Sequence, residues 1–600
     1  MLSGRSVGES SGGSLDDLNR QEFFSPEAKL PAENLSVEFS DWQSTRLPRQ
    51  VVSLAFLSES AAGRYLSESL AQSLCVETNS PVILVRFTQV DQPNPQNYLN
   101  GEFHLPAILD RTEAGFHLLA VGVKSDDPPS SIGILSLMEK LSRHFRHVLI
   151  EAPAAGGLKD WVMELLLRSD LGYLFFEGPG NGLQHAAQLL KQARAKQPSR
   201  SAHLKLVACP SENESSNELE AQAQRLAAPV HLFIRGYSRD GLNGSASNRD
   251  AKANWFGGDV RRLARDIGGR LVGLALSSGA AKGFAHIGVI QVLEENGIEV
   301  DVVAGSSMGA YVGSLWAQGN HGPELERLAR ELEGRWPVWS LIDPVFPPRQ
   351  GFVRGYAVKR RLMRTLGECR FGDLPMPLRV VATNLETLER VVFAGGEVAA
   401  AVHASVAVPG ICVPITIDGE TYIDGGIVDP LPVGVLREMG VTRVIAVDVI
   451  PTPERIREAL MAEQEVARRA RRRGIFRRKN PINQQFNYFA KGNLFEILMR
   501  SIQGAQIRVA QASGLLADVL VQPEIRDDRW LDYRNPGKFI KLGREAAERQ
   551  LEEIKALVNR ADVPPPGIRI PIMESRQSTP EPANEPLAGI ANELEKGAGI

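Results

Sequence analysis

The sequence has 600 residues, which is too long for one ordinary domain and predicts two folded units with tails. Hydrophobic residues make up 43% and charged residues 23%, the balance of a globular chain that can bury a large core. The formal net charge of −3 excludes a general attraction to nucleic acid or to an anionic membrane, so any such contact requires a local basic patch.

The N-terminal segment, residues 1–48, is rich in Ser, Gly, Glu and Asp, and we expect it to be a disordered tail. It also lacks the apolar core of a signal peptide. The longest uncharged stretch, 398–417, contains Pro409, Gly410 and Pro414 and is interpreted as buried strand and turn, not as a membrane span. We therefore expect a cytoplasmic protein, with any membrane contact being peripheral and on the inner face.

Residues 49–236 alternate between short β-branched runs and segments of helical spacing such as 183–195 and 217–227. This alternation is typical of a parallel, doubly wound α/β sheet. The order of elements resembles the P-loop ATPases of the partitioning class. The predicted strands are 51–57, 82–88, 116–123, 147–153, 172–178, 203–210 and 230–236.

A phosphate-binding loop would require G-x-x-x-x-G-K-[ST] after the first strand. The chain instead reads SESAAGRY at 58–65, without the first glycine, the lysine or the hydroxyl that would ligate magnesium. The GPGNG at 178–182 lacks the spacing of a dinucleotide site. We therefore expect a degenerate P-loop-like domain with no nucleotide cofactor. A nucleotide-controlled switch is the alternative, and it depends on this domain binding nucleotide.

A second α/β domain is predicted at 259–560, after a polar, glycine-rich linker at 237–258. The tail at 561–600 carries prolines and acidic residues without periodicity, and we expect it to be disordered. The second domain opens with a strand at 271–276, a loop of small residues and a helix that Gly297 ends. Backbone N–H groups in such a loop can bind a negative oxygen, although many α/β proteins turn on glycines.

The next strand, 298–305, ends in GSSMG (305–309), which has the G-x-S-x-G pattern of a nucleophile elbow. Gly305 and Gly309 would let a helix pack close to the turn while the hydroxyl of Ser307 projects from the sheet. For the pentapeptide alone, a tight turn that merely contains serine is the alternative. A right-handed crossover would place this turn and the preceding loop at the same carboxyl edge of the sheet.

The partner of Ser307 is predicted partly from what the chain lacks. Many serine hydrolases follow the order Ser, acid, His, yet the last of the ten histidines is His403. Asp424 is the best acidic residue because it follows a short strand and precedes Gly425 and Gly426, where the backbone can approach another loop closely. An Asp-Gly hairpin turn is the alternative for this motif.

Together these motifs resemble those of the patatin-like phospholipases, in particular bacterial proteins related to the catalytic domain of neuropathy target esterase. Three further stretches are similar: GDVRRLARDIGG (258–269), LRVVATNLET (378–387) and HASVAVPGICVP (403–414). The resemblance covers 258–450 and, more loosely, 490–560. It implies a three-layer α/β/α hydrolase domain.

The resemblance also implies a mechanism without histidine, metal or cofactor. A dyad of Ser307 and Asp424 would hydrolyse acyl esters of phospholipids or lysophospholipids through an acyl-enzyme. His286 is an alternative base, although a histidine packed in the helix is the simpler interpretation of it. The oxyanion hole would be the loop of Gly279, Ala280, Ala281, Lys282 and Gly283.

This loop departs from the family pattern. The family usually has G-G-G-x-R-G, whereas 278–283 reads SGAAKG, with Ser278 and Ala280 in place of glycines and Lys282 in place of arginine. If position 280 needs a positive φ, alanine costs about 1 kcal/mol or more there. A catalytically weak lipid-binding or regulatory scaffold is therefore the alternative function.

Eight of the twelve residues at 468–479, RRARRRGIFRRK, are basic. Such a run is most often a solvated helix or loop face. The second interpretation is contact with anionic lipid, at about 1 kcal/mol per basic residue near the surface, with Ile475 and Phe476 as an apolar tip. Nucleic-acid binding is not expected, because few aromatic residues lie nearby.

Overall fold

Two large β-sheets organise the described part of the chain in the computed structural model. The structure describes residues 37–38 and most of 50–559, so the predicted tails and the second half of the basic run lie outside the described residues, apart from 37–38. The stretches between 50 and 559 that are not described are 58–60, 90–97, 100–101, 104–107, 110, 124–128, 154–159, 178–180, 202, most of 211–229, 237–251, 334–342, 348–350, 473–493, 526–532 and 534.

The first half contains eleven short or medium strands and five helices within the described residues. In chain order they are β1 (Val37–Glu38), β2 (Gln50–Phe56), α1 (Ala61–Thr78), β3 (Val82–Gln89), β4 (Tyr98–Leu99), β5 (Glu102–Phe103), β6 (Ile108–Leu109), β7 (His117–Val123), α2 (Ser131–Ser142), β8 (His147–Pro153), α3 (Asp160–Arg168), β9 (Leu171–Glu177), α4 (Asn181–Lys196), α5 (Pro198–Ser201), β10 (Leu204–Cys209) and β11 (Val230–Phe233).

The first sheet has seven strands in the order β11-β10-β9-β2-β8-β3-β7, and every neighbouring pair is parallel. All seven strands predicted from the β-branched runs are present, and helices separate most of them. The central strand β2 is buried along its whole length, as expected for a parallel sheet with helices on both faces. The predicted α/β class of this half is confirmed.

Within the described residues, the second half begins and ends with a helix. Its elements are α6 (Lys252–Ile267), β12 (Val272–Leu276), α7 (Ala285–Glu295), β13 (Val302–Ser306), α8 (Met308–Ala317), α9 (Gly322–Arg330), α10 (Tyr356–Leu366), β14 (Leu378–Asn384), β15 (Arg390–Phe393), α11 (Val398–Ser405), β16 (Ile415–Ile417), β17 (Glu420–Asp424), α12 (Val433–Glu438), β18 (Arg443–Val447), α13 (Pro453–Arg472), α14 (Leu494–Gly514), β19 (Val519–Val521) and α15 (Pro536–Val558), with 3₁₀ helices at Ala280–Phe284, Phe371–Asp373 and Gly425–Ile427.

The second sheet has the order β16-β17-β14-β13-β12-β18-β19, and β15 pairs with β14 outside that path. Strands β14, β13, β12, β18 and β19 run parallel to one another, while β15, β16 and β17 pair antiparallel. Helices cover this sheet as well, so the predicted α/β class is confirmed here too. The parallel strands β12 and β13 are entirely buried, which fixes the loops at their carboxyl ends.

Two local predictions need correction. Residues 398–405 form α11 and not a strand, because a run of alanines with few breakers favours helix over strand. Helix α6 begins at Lys252, inside the stretch 237–258 that was predicted as linker. Of the helices that the structure describes, none is long and apolar enough to cross a membrane.

Helix α6 contributes to both halves of the chain. Its apolar residues, including Leu263 and Ile267, are buried in the hydrophobic core of the first sheet. On its polar side the Arg265 guanidinium bonds Glu77 of α1 (3.2 Å) and Asp301 (2.9 Å), just before β13. Because Asp301 also accepts from the Val272 N–H (2.7 Å), this network ties α6 to the starts of β12 and β13.

Helices α7 and α15 cross where one glycine of each helix meets the backbone of the other helix. A Cβ atom on Gly288 would overlap the carbonyl oxygen of Ile540, and one on Gly543 would overlap that of Ala285. Only glycine lets the two backbones approach this closely. The C-terminal helix therefore packs directly on the helix that follows the loop at 277–284.

Replacing Gly543 with alanine should destabilise the fold, because the new methyl group overlaps a backbone carbonyl that cannot move aside. We expect a loss of about 1–3 kcal/mol in the free energy of unfolding, measured by urea denaturation. Gly504→Ala is the matched control: Gly504 lies in α14 with no atom within 4 Å of its missing Cβ. That variant should gain up to about 1 kcal/mol. Equal effects of the two variants would contradict the crossing.

Candidate active site

Ser307 lies in the sharp turn between β13 and α8. Its backbone has φ = +53° and ψ = −117°, a combination that costs about 1–3 kcal/mol. A Cβ atom on Gly305 would lie 2.6 Å from the nitrogen of Ala310, and one on Gly309 would overlap the carbonyl oxygen of Leu276. Glycine at both positions therefore makes the turn possible, and the turn has the geometry of a nucleophile elbow.

Strand register brings Asp424 beside Ser307. Ser306, the last residue of β13, is paired with Val381 of β14, and the next residue of β14, Ala382, is paired with Asp424 at the end of β17. Ser307, the residue after β13, and Asp424, the last residue of β17, therefore lie beside each other near the end of β14. No local pattern in the sequence shows this pairing.

The two side chains form a buried hydrogen bond. Ser307 Oγ donates to Asp424 Oδ2 (2.6 Å), and the Gly426 N–H donates to Oδ1 (2.7 Å). Ser307 is 5% exposed and Asp424 is 3% exposed. Both oxygens of the carboxylate are thus engaged, one of them by the hydroxyl that it would activate.

The DGG motif is not a hairpin turn. The Asp-Gly turn of the hairpin is Asp418-Gly419, between β16 and β17, with φ values of +52° and +88°. Asp424 instead caps the 3₁₀ helix Gly425–Ile427. A Cβ atom on Gly425 would overlap the carbonyl oxygen of Val381, so this glycine serves close packing against β14.

Burial sets the protonation of the carboxyl. It raises the pKa of Asp424 from 3.8 to about 6, and the hydrogen bonds from Ser307 and Gly426 offset part of that rise. Above pH 6 the group is mainly a carboxylate, able to accept a proton. Its pKa is close enough to neutrality for it to return that proton as well.

The loop between β12 and α7 holds the predicted oxyanion-hole residues Gly279 to Gly283. It forms the 3₁₀ helix Ala280–Phe284, and Ala280 has φ = +49°. A left-handed backbone costs an alanine about 1–2 kcal/mol. The loop therefore adopts the conformation in which alanine, where the family usually has glycine, is strained.

The backbone N–H groups of this loop fall into two sets. The Ser278 N–H donates to Pro430 O (2.7 Å) and the Lys282 N–H donates to Gly279 O (3.1 Å), so neither is available to a ligand. Within the described ranges, the N–H groups of Gly279, Ala280 and Ala281 have no acceptor. Of the five residues predicted for the oxyanion hole, Lys282 is therefore excluded as a backbone donor, whereas Gly279, Ala280 and Ala281 keep N–H groups that a negative oxygen could use.

His286 is hydrogen-bonded to the start of this loop. Its Nε2 donates to the carbonyl oxygen of Ser277 (2.9 Å), whereas its Nδ1 has no partner among the described residues. Burial lowers the pKa of His286 to about 4, so the ring is neutral at pH 7. From the other side, the Val449 N–H donates to Ser277 Oγ (2.9 Å). This environment favours a packed histidine over a general base.

Two side chains at the site, Ser405 and Gln506, are not predicted as site residues by the sequence. Ser405 accepts a hydrogen bond from the Ser307 N–H (2.8 Å). Gln506 of α14 lies against Gly426, where an added Cβ would be 2.9 Å from its Nε2. The similar stretch 403–414 pointed to the region of Ser405, but nothing in the residue spacing identified that residue. Among the described residues no group of three His, Cys, Asp or Glu could hold a metal ion.

An elbow serine bonded to a buried aspartate on an α/β sheet is the arrangement of a serine hydrolase that has aspartate in place of histidine. Residues 274–437 match the family model for patatin-like phospholipases. That range contains the elbow, the glycine-containing loop and the DGG motif. The resemblance predicted from these motifs is therefore confirmed.

Among curated proteins, the chain is 31% identical to the lysophospholipase NTE1 of Pyricularia oryzae over 40% of this chain and 16% of that protein. It is 39% identical to an NTE family protein of Mycobacterium bovis over 30% of this chain and 49% of that protein. The chain therefore spans only about a sixth to a half of the length of these relatives.

Two solved structures have a low similarity to the chain. The first is VipD from Legionella pneumophila, with 17% identity over 47% of this chain and 67% of that chain and a TM-score of 0.28. The second is a ParA family ATPase from Chlorobium tepidum, with 12% identity over 36% of this chain and 91% of that chain and a TM-score of 0.26. Scores this low do not establish a shared fold.

Replacing Asp424 with asparagine should stabilise the protein at high pH. The folded-state pKa of about 6 lies above the unfolded value near 3.8, so ionisation favours the unfolded state as pH rises through this range. We expect the variant to be more stable than the wild type by up to about 3 kcal/mol at pH 8, and the gain to vanish below pH 4. Urea denaturation at both pH values measures it.

The exposed Asp418, which has φ = +52° and tolerates asparagine, provides the control. Asp418→Asn should change stability little at either pH. If Asp424→Asn is instead less stable than the wild type at pH 8, the hydrogen bonds to the Asp424 carboxylate outweigh the cost of burying its charge.

Proposed function

We propose that the chain is a serine acyl-hydrolase that cleaves carboxylic ester bonds of phospholipids or lysophospholipids. The observation that carries this proposal is the 2.6 Å hydrogen bond from Ser307 Oγ to Asp424 Oδ2 at a strained elbow. The similarity to patatin-like phospholipases and to a lysophospholipase supports the choice of lipid esters. That the whole protein acts on these lipids belongs to the same proposal.

In the proposed mechanism, Asp424 accepts the proton of Ser307 Oγ as that oxygen attacks the ester carbonyl carbon. The N–H groups of Gly279, Ala280 and Ala281 stabilise the negative oxygen of the tetrahedral intermediate, a contribution of about 3–4 kcal/mol per donor in well-studied enzymes. Collapse expels the alcohol, which takes the proton from Asp424. Water then hydrolyses the acyl-enzyme with the same carboxylate as base.

The strained Ala280 favours a second candidate function, a catalytically weak lipid-binding or regulatory scaffold. Its φ of +49° costs stability in the loop that would hold the oxyanion. Protein molecules in which this loop relaxes to another conformation would bind lipid but hydrolyse it slowly. Labelling of the purified protein by a serine-directed fluorophosphonate distinguishes the two functions.

We also propose that the protein is cytoplasmic and contacts anionic membrane peripherally. The basic run 468–479 begins at the end of α13, where Arg468 and Arg469 are exposed. A helix end that projects basic side chains is suited to a negatively charged surface. The apolar pair at 475–476 lies outside the described residues.

The dyad is tested by three substitutions. Ser307→Ala and Asp424→Asn should each abolish hydrolysis of a short-chain ester and of lysophospholipid, because they remove the nucleophile and its base. Ser307→Ala should also abolish fluorophosphonate labelling. The wild-type rate should rise with pH, reach half of its maximum near the Asp424 pKa of about 6 and level off at higher pH, where the carboxyl is fully ionised.

His286→Gln is the control for this experiment, since it removes the imidazole but keeps a donor for Ser277 O. We expect it to retain substantial activity. A folded His286→Gln protein as inactive as Ser307→Ala would refute the dyad, and so would near-normal turnover by Asp424→Asn. Circular dichroism establishes folding of each variant.

Membrane contact is tested by replacing the seven arginines of 468–479 with glutamine. Sedimentation with anionic vesicles should fall while hydrolysis of a soluble ester stays intact. Wild-type binding should also weaken as salt rises, because the Debye length shortens to about 8 Å at physiological ionic strength. Arg327→Gln, on the exposed side of α9, is the control. Equal loss of binding and hydrolysis would mean that the run is structural.

A further inference from the structure

The end of α11 contacts both members of the dyad. Ser405, the last residue of that helix, is fully buried, and its Oγ accepts a hydrogen bond from the Ser307 N–H (2.8 Å). Two residues later, the carbonyl oxygen of Ala407 accepts from the Asp424 N–H (2.9 Å). One short segment therefore holds the backbone of the serine and the backbone of the aspartate.

The hydroxyl of Ser405 has a second partner. It donates to the carbonyl oxygen of Val381 in β14 (2.6 Å), opposite Ser306 in the sheet. At Ser307 the backbone turns out of the strand, so its N–H no longer points along the regular β ladder. The Ser405 hydroxyl fills the gap between that N–H and the neighbouring strand, accepting from one and donating to the other.

This bridge acts where the backbone is strained. The positive φ of Ser307 costs free energy and persists only if its surroundings enforce it. A buried N–H without an acceptor is itself costly, so the elbow has a single favourable position, the one in which Ser307 N reaches Ser405. The same position sets the direction of the side chain and hence the contact between Oγ and the carboxylate.

We propose that Ser405 is a positioning residue for the nucleophile. It fixes the backbone of Ser307 so that Oγ stays within hydrogen-bond reach of Asp424 and aligned with the oxyanion loop. Ser405 does not touch the substrate or take part in proton transfer. This inference rests on the proposed function of Ser307, and it assigns the segment 405–407 the role of keeping serine and aspartate in register.

The proposal makes Ser405 a determinant of kcat. Removing the hydroxyl frees the Ser307 N–H and lets the elbow relax, and a displacement of about 1 Å at a reacting atom can cost about 100-fold in rate. Ser405→Ala should therefore lower kcat for a soluble short-chain ester by about 10- to 100-fold, with KM changed less than about twofold. The rate of fluorophosphonate labelling at Ser307 should fall by the same factor.

Ser314→Ala is the matched control. Ser314 lies in α8, directly after the elbow; it is also fully buried and donates to the carbonyl oxygen of Tyr311 (2.8 Å). Its removal deletes an equally buried hydroxyl without freeing the Ser307 N–H. This variant should keep kcat and labelling within about twofold of the wild type. Ser405→Thr, which retains the hydroxyl, should recover part of the activity lost in Ser405→Ala.

Each outcome has a definite reading. A folded Ser405→Ala protein with unchanged kcat and labelling overturns the proposal, as does an equal loss in Ser314→Ala or an effect confined to KM. If Ser405→Ala does not fold, Ser405→Thr, which keeps the hydroxyl, is compared with Ser405→Cys, which lacks it. A folded threonine variant that is labelled no faster than the cysteine variant overturns the proposal. Failure of the wild type to be labelled at Ser307 overturns the proposed function and this inference together.

Discussion

The hydrogen bond between Ser307 and Asp424 constrains three neighbouring strands of the second sheet. It joins a residue in a strained turn to a carboxylate at the end of an antiparallel strand, so β13, β14 and β17 must keep their register. A slip of one residue would turn the carboxylate to the opposite face of the sheet. Gly305, Gly309 and Gly425 serve this constraint, because larger residues would push the strands and α8 apart.

The sequence alone supported the local parts of this arrangement. The elbow, the DGG motif and the alternation of strands and helices each depend on residues near one another in the chain, and periodicity or glycine placement shows them. Ser405 could not be found in this way, since its contact with Ser307 spans 98 positions. Pro409, Gly410 and Pro414 favour strand and turn for 398–417, whereas the alanines of 398–405 favour the helix that forms. The N–H groups available in the oxyanion loop depend on φ at Ala280 and on a partner, Pro430, that only the fold brings close.

Helix α6 shows why a boundary between the two halves is hard to draw from composition. Its apolar face belongs to the core of the first sheet, while Arg265 bonds Asp301, which precedes β13 and also accepts from the Val272 N–H at the start of β12. A polar, arginine-rich segment therefore looks like a domain edge, and yet its apolar residues lie in the first core while Arg265 bonds a residue of the second half. Loss of Arg265 would leave the buried Asp301 carboxylate without the guanidinium that it binds, at a cost of several kcal/mol.

The glycine contact between α7 and α15 has a consequence for how the domain can be isolated. The family match ends at residue 437, yet β18, β19 and α15 all follow it in the chain. A fragment cut at that point would leave the apolar side of α7, which α15 covers, open to water. Such a patch promotes aggregation. Expression boundaries for crystallography or directed evolution should therefore extend to residue 559, well beyond the recognisable motifs.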